Sequence, residues 1–126
     1  MSIYGVGIDI IKVSRIKSSL KNKNFKKKIF SNNEIKIIEK KNNKITGYAK
    51  KFASKEAFSK ALGTGISGGM SFKEISVIND KKGRPYIELF GKTKLIVKQI
   101  IKKKFKIFLS ISDEKKYALA IVVITY

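Results

Sequence analysis

At 126 residues with 43% hydrophobic content, the chain can close one core but is short for two, so a single domain over residues 1-126 is expected. Its net charge of +20, from 29 Lys and Arg against 9 Asp and Glu, favours an anionic partner: nucleic acid, a phosphate-rich ligand, an acidic protein or a membrane surface. With neither Cys nor His there is no disulfide framework and no zinc site of the usual kind, so any metal is held by oxygen, as magnesium or calcium is.

Only Arg15 and Arg84 are arginine, and the abundance of Lys, Asn and Ile is what AT-rich codons produce, so part of the charge is filler. No basic leader opens the chain, and Asp9 interrupts the first apolar run. The longest apolar run, Ala118 to Ile124, falls well short of the roughly 20 residues that cross a bilayer. Neither a signal peptide nor a membrane span is expected, which places the protein in the cytoplasm.

Ile3 to Ile10 alternates as a strand, with Tyr4, Val6, Ile8 and Ile10 on one face and Gly5, Gly7 and Asp9 on the other. Glycines inside a strand mark close approach by another element or a ligand. Asp9 either takes part in that approach or ends the strand and caps the next helix. Val13 to Leu20 predicts a short helix with Arg15 near its start, and Lys21 to Lys28 continues as a basic segment anchored by Phe25, Ile29 and Phe30. Ser31 to Glu34 has the form of a capping box, opening a helix that carries Ile35, Ile37 and Ile38.

The most ordered stretch is Lys51 to Ile66. With Thr46 as N-cap and Gly63 as a left-handed stop, it predicts a helix of about four turns. Ala53, Ala57 and Ala61 form one stripe, with Phe58 and Leu62 to one side and Glu56 and Lys60 on the other. Glu56 and Lys60 are either a solvated i,i+4 pair or a charged edge on a closely approachable face. Packing the alanine stripe on the Gly5/Gly7 strip would bring Asp9 near Glu56. The following loop, Gly63 to Gly69, is not a P-loop, because it leaves a helix C-terminus and no Gly-Lys-Ser/Thr opens another helix.

Ile75 to Ile78 and Tyr86 to Phe90 predict a hairpin across Asn79 to Pro85. Lys92 to Lys104 predicts an amphipathic helix, and Ile107 to Ser112 with Tyr117 to Thr125 a second hairpin. The expected fold is α+β, mainly antiparallel sheet with helices packed on it, in the order β-α-α-α-β-β-α-β-β.

Gly5-Val-Gly-Ile-Asp-Ile10 followed by Arg15-Ile16, Phe52-Ala-Ser-Lys-Glu-Ala57 with Lys60 and Gly63-Thr-Gly-Ile66, Asn79-Asp80 with Gly83-Arg-Pro85, and Ser110-Ile-Ser-Asp113 with Tyr117-Ala118 together resemble the holo-acyl-carrier-protein synthases. These are the short bacterial 4′-phosphopantetheinyl transferases, and the resemblance covers nearly the whole chain. Such enzymes move the phosphopantetheine arm of coenzyme A onto a serine of an apo acyl carrier protein, release adenosine 3′,5′-bisphosphate and support fatty acid biosynthesis.

The resemblance implies Mg2+ on Asp9 and Glu56, with Lys60 neutralising charge on the leaving phosphate and Glu56 a candidate for taking the serine proton. It further implies that coenzyme A is bordered by Lys60, Gly63, Thr64 and Gly65 and by Gly83, Arg84 and Pro85. An acidic carrier would dock on Arg15, Lys21, Lys26 and Lys28, and the enzyme would be a homotrimer with sites between protomers. Many relatives have histidine where this chain has Asp113, which leaves that position's role open. The competing reading from charge alone is a non-catalytic nucleic-acid-binding protein, but scarce Arg, no Trp and no recognised nucleic-acid motif argue against it.

Overall fold

The computed structural model describes all 126 residues. The elements are β1 (Ile3–Lys12), α1 (Val13–Ser19), α2 (Lys23–Ile29), α3 (Asn32–Glu39), α4 (Lys44–Leu62), a 3-10 turn (Phe72–Glu74), β2 (Ile75–Asn79), β3 (Pro85–Leu89), α5 (Gly91–Ile101), β4 (Lys106–Asp113) and β5 (Tyr117–Thr125). All strand pairing is antiparallel, in a three-stranded sheet β1-β5-β4 and a separate hairpin β2-β3. The α+β expectation holds, with differences at particular elements.

Four helices, not three, follow β1. Asn22 caps the additional one, its Oδ1 accepting from the Asn24 amide at 2.9 Å. Phe25 and Phe30 then hold α2 in an aromatic group, with ring centroids 6.0 Å apart for Phe25–Phe52 and 4.9 Å for Phe30–Tyr48. Thr46 is not the N-cap of α4. The Gly47 amide already donates to the Asn43 carbonyl at 3.1 Å, which closes the first turn upstream and leaves Thr46 inside it. Gly63 does stop the helix, at φ 89°, its amide donating to Ser59 O. The capping box at Ser31 and Glu34 is formed in both directions.

Helix α4 runs between the two sheets and is buried on both flanks. Ala53, Ala57 and Ala61 are all buried, and Ala57 and Ala61 lie against Gly5 and Gly7 of β1. A Cβ on Gly5 would lie 1.9 Å from Ala61 O, and one on Gly7 1.9 Å from Ala57 O. The other face of β1 is the wet one, with Val6 at 53% exposure, Ile8 at 56% and Ile10 at 61%. Phe108 of β4 and Ile121 of β5 extend this outward apolar face, Val6 and Phe108 both pairing with Val123 and Ile8 with Ile121.

The second flank of α4 meets the open edge of β2, whose other edge is paired to β3. Polar side chains take the place of a third strand there. Lys51 Nζ donates to Val77 O, and Lys55 Nζ donates to Ile75 O, to Phe72 O at 2.8 Å and to Glu34 Oε1 at 2.8 Å. The Val77 amide donates to Glu34 Oε2 at 2.9 Å. Lys55 and Glu34 are both fully buried, a setting in which removing one partner costs about 3–5 kcal/mol. Helix α5 has no cap of its own. Glu74 supplies it, Oε1 accepting from the Thr93 hydroxyl at 2.8 Å and the Thr93 amide at 3.1 Å.

Because the Gly7 contact is to backbone, no rotamer change can relieve an added methyl. Gly7→Ala should lower stability by about 1–3 kcal/mol or more in urea denaturation. An unchanged midpoint would show that β1 and α4 are not in the close contact described.

Candidate active site

Asp9 lies on the glycine face of β1, opposite Ala120, and the close seat of α4 carries Glu56 and Lys60 to it. Lys60 does not form the i,i+4 pair with Glu56. It turns to β1, donating to Ile8 O at 2.9 Å and to Asp9 Oδ1 at 3.3 Å. The lysine is half exposed and the Asp9 side chain only 15% exposed, so the bridge itself contributes no more than about 1 kcal/mol. Asp9 Oδ2 is buried and accepts no hydrogen bond. Burial, and then the Asp9 charge, push the Glu56 pKa up, while Lys60 works against the rise.

Two adjacent carboxylates, one with a bare buried oxygen, form a donor set suited to a hard cation, and magnesium commonly takes only one or two protein carboxylates. No third acid completes a cluster. Asp113 lies at the far end of β4 and pairs with Lys50 at 3.5 Å.

The remaining residues singled out in the sequence fall elsewhere. Gly63 and Thr64 are exposed and Gly65 half-buried at the C-terminal end of α4, with the Thr64 hydroxyl donating to Gly65 O at 3.1 Å. Gly83, Arg84 and Pro85 form a turn locked by Asp80, whose Oδ1 accepts from the Lys82 and Arg84 amides at 2.9 Å each. A cleft of ≈ 440 Å³ opens between that turn and the N-terminal half of α4, with Thr46, Lys50, Lys51, Gly83, Pro85 and Asp113 in its wall. Burial pulls the Lys51 pKa down to about 8. Asp9, Glu56 and Lys60 do not line this cleft.

Arg15, Lys21 and Lys28 are exposed and carry no acid partner. Lys26 differs from them. Its ammonium sits 3.4 Å from Glu39 Oε2 and 5.3 Å from the Tyr48 ring centroid. The Tyr48 hydroxyl donates to the same carboxylate at 2.6 Å, and that bond is the main reason the Glu39 pKa is lowered.

The buried Lys55–Glu34 network is the arrangement that sequence reading missed. Its signal was present. Lys51, Lys55, Phe58 and Leu62 share one helix face at i, i+4, i+7 and i+11, so two lysines continue an apolar stripe where a solvated face would have none.

The raised pKa of Glu56 has a consequence for stability. Its carboxyl holds a proton more tightly in the fold than in the unfolded chain, so stability declines as pH rises from the ordinary carboxylate value of 4.5 through the raised one, and stays lower above it. In metal-free buffer, Glu56→Gln should therefore melt above the parent at neutral pH, with the difference shrinking below the ordinary carboxylate range. An equal or lower melting temperature at pH 7 would place Glu56 in a well-solvated setting instead.

Comparison with known proteins bears on this arrangement. The 4′-phosphopantetheinyl transferase superfamily matches residues 5–122. The holo-[acyl-carrier-protein] synthase of Pelagibacter ubique is 51% identical, covering 98% of each chain, and that of Treponema denticola is 42% identical, covering 97% of this chain and 98% of the other. Among solved structures, the Bacillus anthracis synthase in complex with CoA (3′,5′-ADP) superposes with a TM-score of 0.79 at 36% identity, covering 98% of this chain and 97% of the other. The Helicobacter pylori enzyme in complex with coenzyme A gives 0.80 at 31%, covering 95% and 99%. With a carboxylate pair and a lysine assembled where β1 meets α4, and with likeness over nearly its full length, the chain belongs to the holo-[acyl-carrier-protein] synthase family of 4′-phosphopantetheinyl transferases.

Proposed function

We propose that the chain, acting as a single domain in the cytoplasm, transfers 4′-phosphopantetheine from coenzyme A to a serine of an apo acyl carrier protein, releasing adenosine 3′,5′-bisphosphate in support of fatty acid biosynthesis. The observation that carries this reading is the seating of Asp9, Glu56 and Lys60 at one point, with one carboxylate oxygen bare and one carboxyl pKa raised. The serine oxygen bonds to the phosphorus that bears the pantetheine arm, and the bond from that phosphorus to the bridging oxygen breaks. Glu56, its basicity increased by burial and by Asp9, takes the serine proton. Lys60, half exposed beside Asp9, offsets charge on the departing phosphate. Asp9 and Glu56 would hold magnesium, which when bound neutralises phosphate charge.

Arg84 and its turn, and the loop Gly63 to Gly65, border coenzyme A in this reading. Because the turn's cleft excludes Asp9 and Glu56, one chain offers two separate partial surfaces. That favours a homotrimer in which one protomer's turn faces its neighbour's carboxylates. The exposed Val6, Ile8, Ile10 and Phe108 face is an apolar surface suited to such assembly. The carrier docks on Arg15, Lys21 and Lys28, with Lys26 contributing less because Glu39 already holds it.

The direct test is the intact mass of an apo carrier protein after incubation with enzyme, coenzyme A and magnesium. A gain of one phosphopantetheine group is expected, lost in folded Asp9→Ala, and a parent enzyme that leaves the mass unchanged would sink the reading. In the same assay at low salt, reversing Lys21 and Lys28 to Glu should raise the Michaelis constant for carrier and spare that for coenzyme A. Indifference to the reversal would remove this face from docking.

Sedimentation should find three copies associated, and Ile10→Lys should dissociate them with loss of turnover. A fully active monomer would refute the shared site.

A further inference from the structure

The contact between α4 and β1 is close but smooth. Ala57 and Ala61 meet Gly5 and Gly7 through their backbone. Small side chains set the depth of the helix well but interlock little on this face, and a slip of one residue would rotate every side chain by about 100° and shift it about 1.5 Å. Glu56 reaches the Asp9 position only if that rotation is fixed, and the buried Tyr48, Phe58 and Leu62 and the exposed Lys60 bond to Ile8 O share that task with directional bonds on the opposite flank. The directional, buried attachments on the opposite flank are made by Lys51, through Val77 O, and by Lys55, the residue immediately before Glu56 and the more deeply buried of the two.

Lys55 spends its ammonium on three acceptors from three elements: Glu34 of α3, Phe72 O of the 3-10 turn, and Ile75 O at the start of β2. Glu34 is held in turn by the Ser31 amide at 2.9 Å and the Val77 amide at 2.9 Å, and Ser31 Oγ lies 3.2 Å from Ser76 Oγ. Neither side chain is accessible to solvent or to a ligand, so the pair touches no substrate. What it can do is index the helix.

We infer that Lys55 and Glu34 are positioning residues for the transfer reaction: by tying α4 to α3 and the open edge of β2, they fix the rotation of the helix that aims Glu56 at Asp9. The inference rests on the reading that these two carboxylates hold magnesium for transfer. Outer groups that orient metal ligands characteristically change affinity or activity by about 10-fold or more when removed. The carrier-docking residues lie on α1 and near the ends of α2, outside this linkage.

The variants are Lys55→Met, which keeps length and removes the ammonium, and Glu34→Gln, which keeps an acceptor oxygen and removes the charge. Each is assayed well below its own melting temperature. Magnesium binding is read by calorimetry on enzyme with coenzyme A but no carrier, so that no turnover occurs, and steady-state kinetics are read separately. The expected result for Lys55→Met is weaker magnesium binding by about 10-fold or more and a comparable fall in kcat, with the Michaelis constant for carrier unchanged. Glu34→Gln should show the same pattern to a smaller degree. A folded Lys55→Met or Glu34→Gln that binds magnesium and turns over like the parent overturns the inference, since a purely structural pair would lower the melting temperature alone. If neither variant folds, the pair is a folding element and the inference is withdrawn. A parent that binds magnesium but modifies no carrier would count against the proposed function and leave the calorimetric comparison to judge the positioning role.

Discussion

The approach of α4 to β1 at Gly5 and Gly7 is the constraint on which the rest of the structure depends. With any side chain at Gly7 the helix would stand off from the sheet, because a Cβ there would already meet Ala57 O at 1.9 Å. Standing off would separate Glu56 and Lys60 from Asp9, and would open the interface that buries Ala118, Ala120 and Val122 of β5. The contact also explains an inversion in β1. Val6, Ile8 and Ile10, which pattern alone would send inward, point outward, because the inner face beneath α4 is given to Gly5, Gly7 and Asp9, with Ile11 the one aliphatic buried there. Close packing of small residues thus decides which face of the strand is free to meet another chain.

The second flank of the helix uses a different principle. An open strand edge leaves carbonyls and amides without partners, and proteins usually pair it, cover it or charge it. Here Lys51, Lys55 and Glu34 satisfy Ile75 O, Val77 O and the Val77 amide from the side. The hairpin β2-β3 is therefore attached to α4 by directional polar bonds as well as by burial of Ile75 and Val77. Such bonds tolerate little displacement, whereas an apolar contact between the same elements would accept small shifts.

How much of this was legible in the sequence depended on whether a feature was local. Gly63 as a helix stop, Ser31 and Glu34 as a capping box, and both hairpins follow from short-range chemistry and stand where sequence reading put them. The meeting of Asp9 with the α4 edge was also readable, because two glycines facing three alanines admit few other packings. The start of α4 was misplaced because Asn43 makes no side-chain cap, leaving no chemical mark at the true first turn. Helix α2 looks like a charged run because four of its seven residues are lysine, and what folds it is the placing of Phe25 and Phe30 against Tyr48 and Phe52, which no local pattern encodes. Local pattern shows Glu34 as a cap and no more, since its other partners lie 21 and 43 residues away.

The scarcity of acids creates an asymmetry in what the chain can tolerate by substitution. Six of the nine acidic residues are engaged inside the molecule: Asp9 with Lys60, Glu34 with Lys55, Glu39 with Lys26 and Lys44, Glu74 with Thr93, Asp80 with its own turn, and Asp113 with Lys50. Most of the lysines, by contrast, stand in solvent without a carboxylate beside them, and one can replace another at little cost. In a lineage whose codons drift toward lysine, the basic positions are therefore nearly interchangeable, while the acidic positions carry a disproportionate share of the information that specifies the fold.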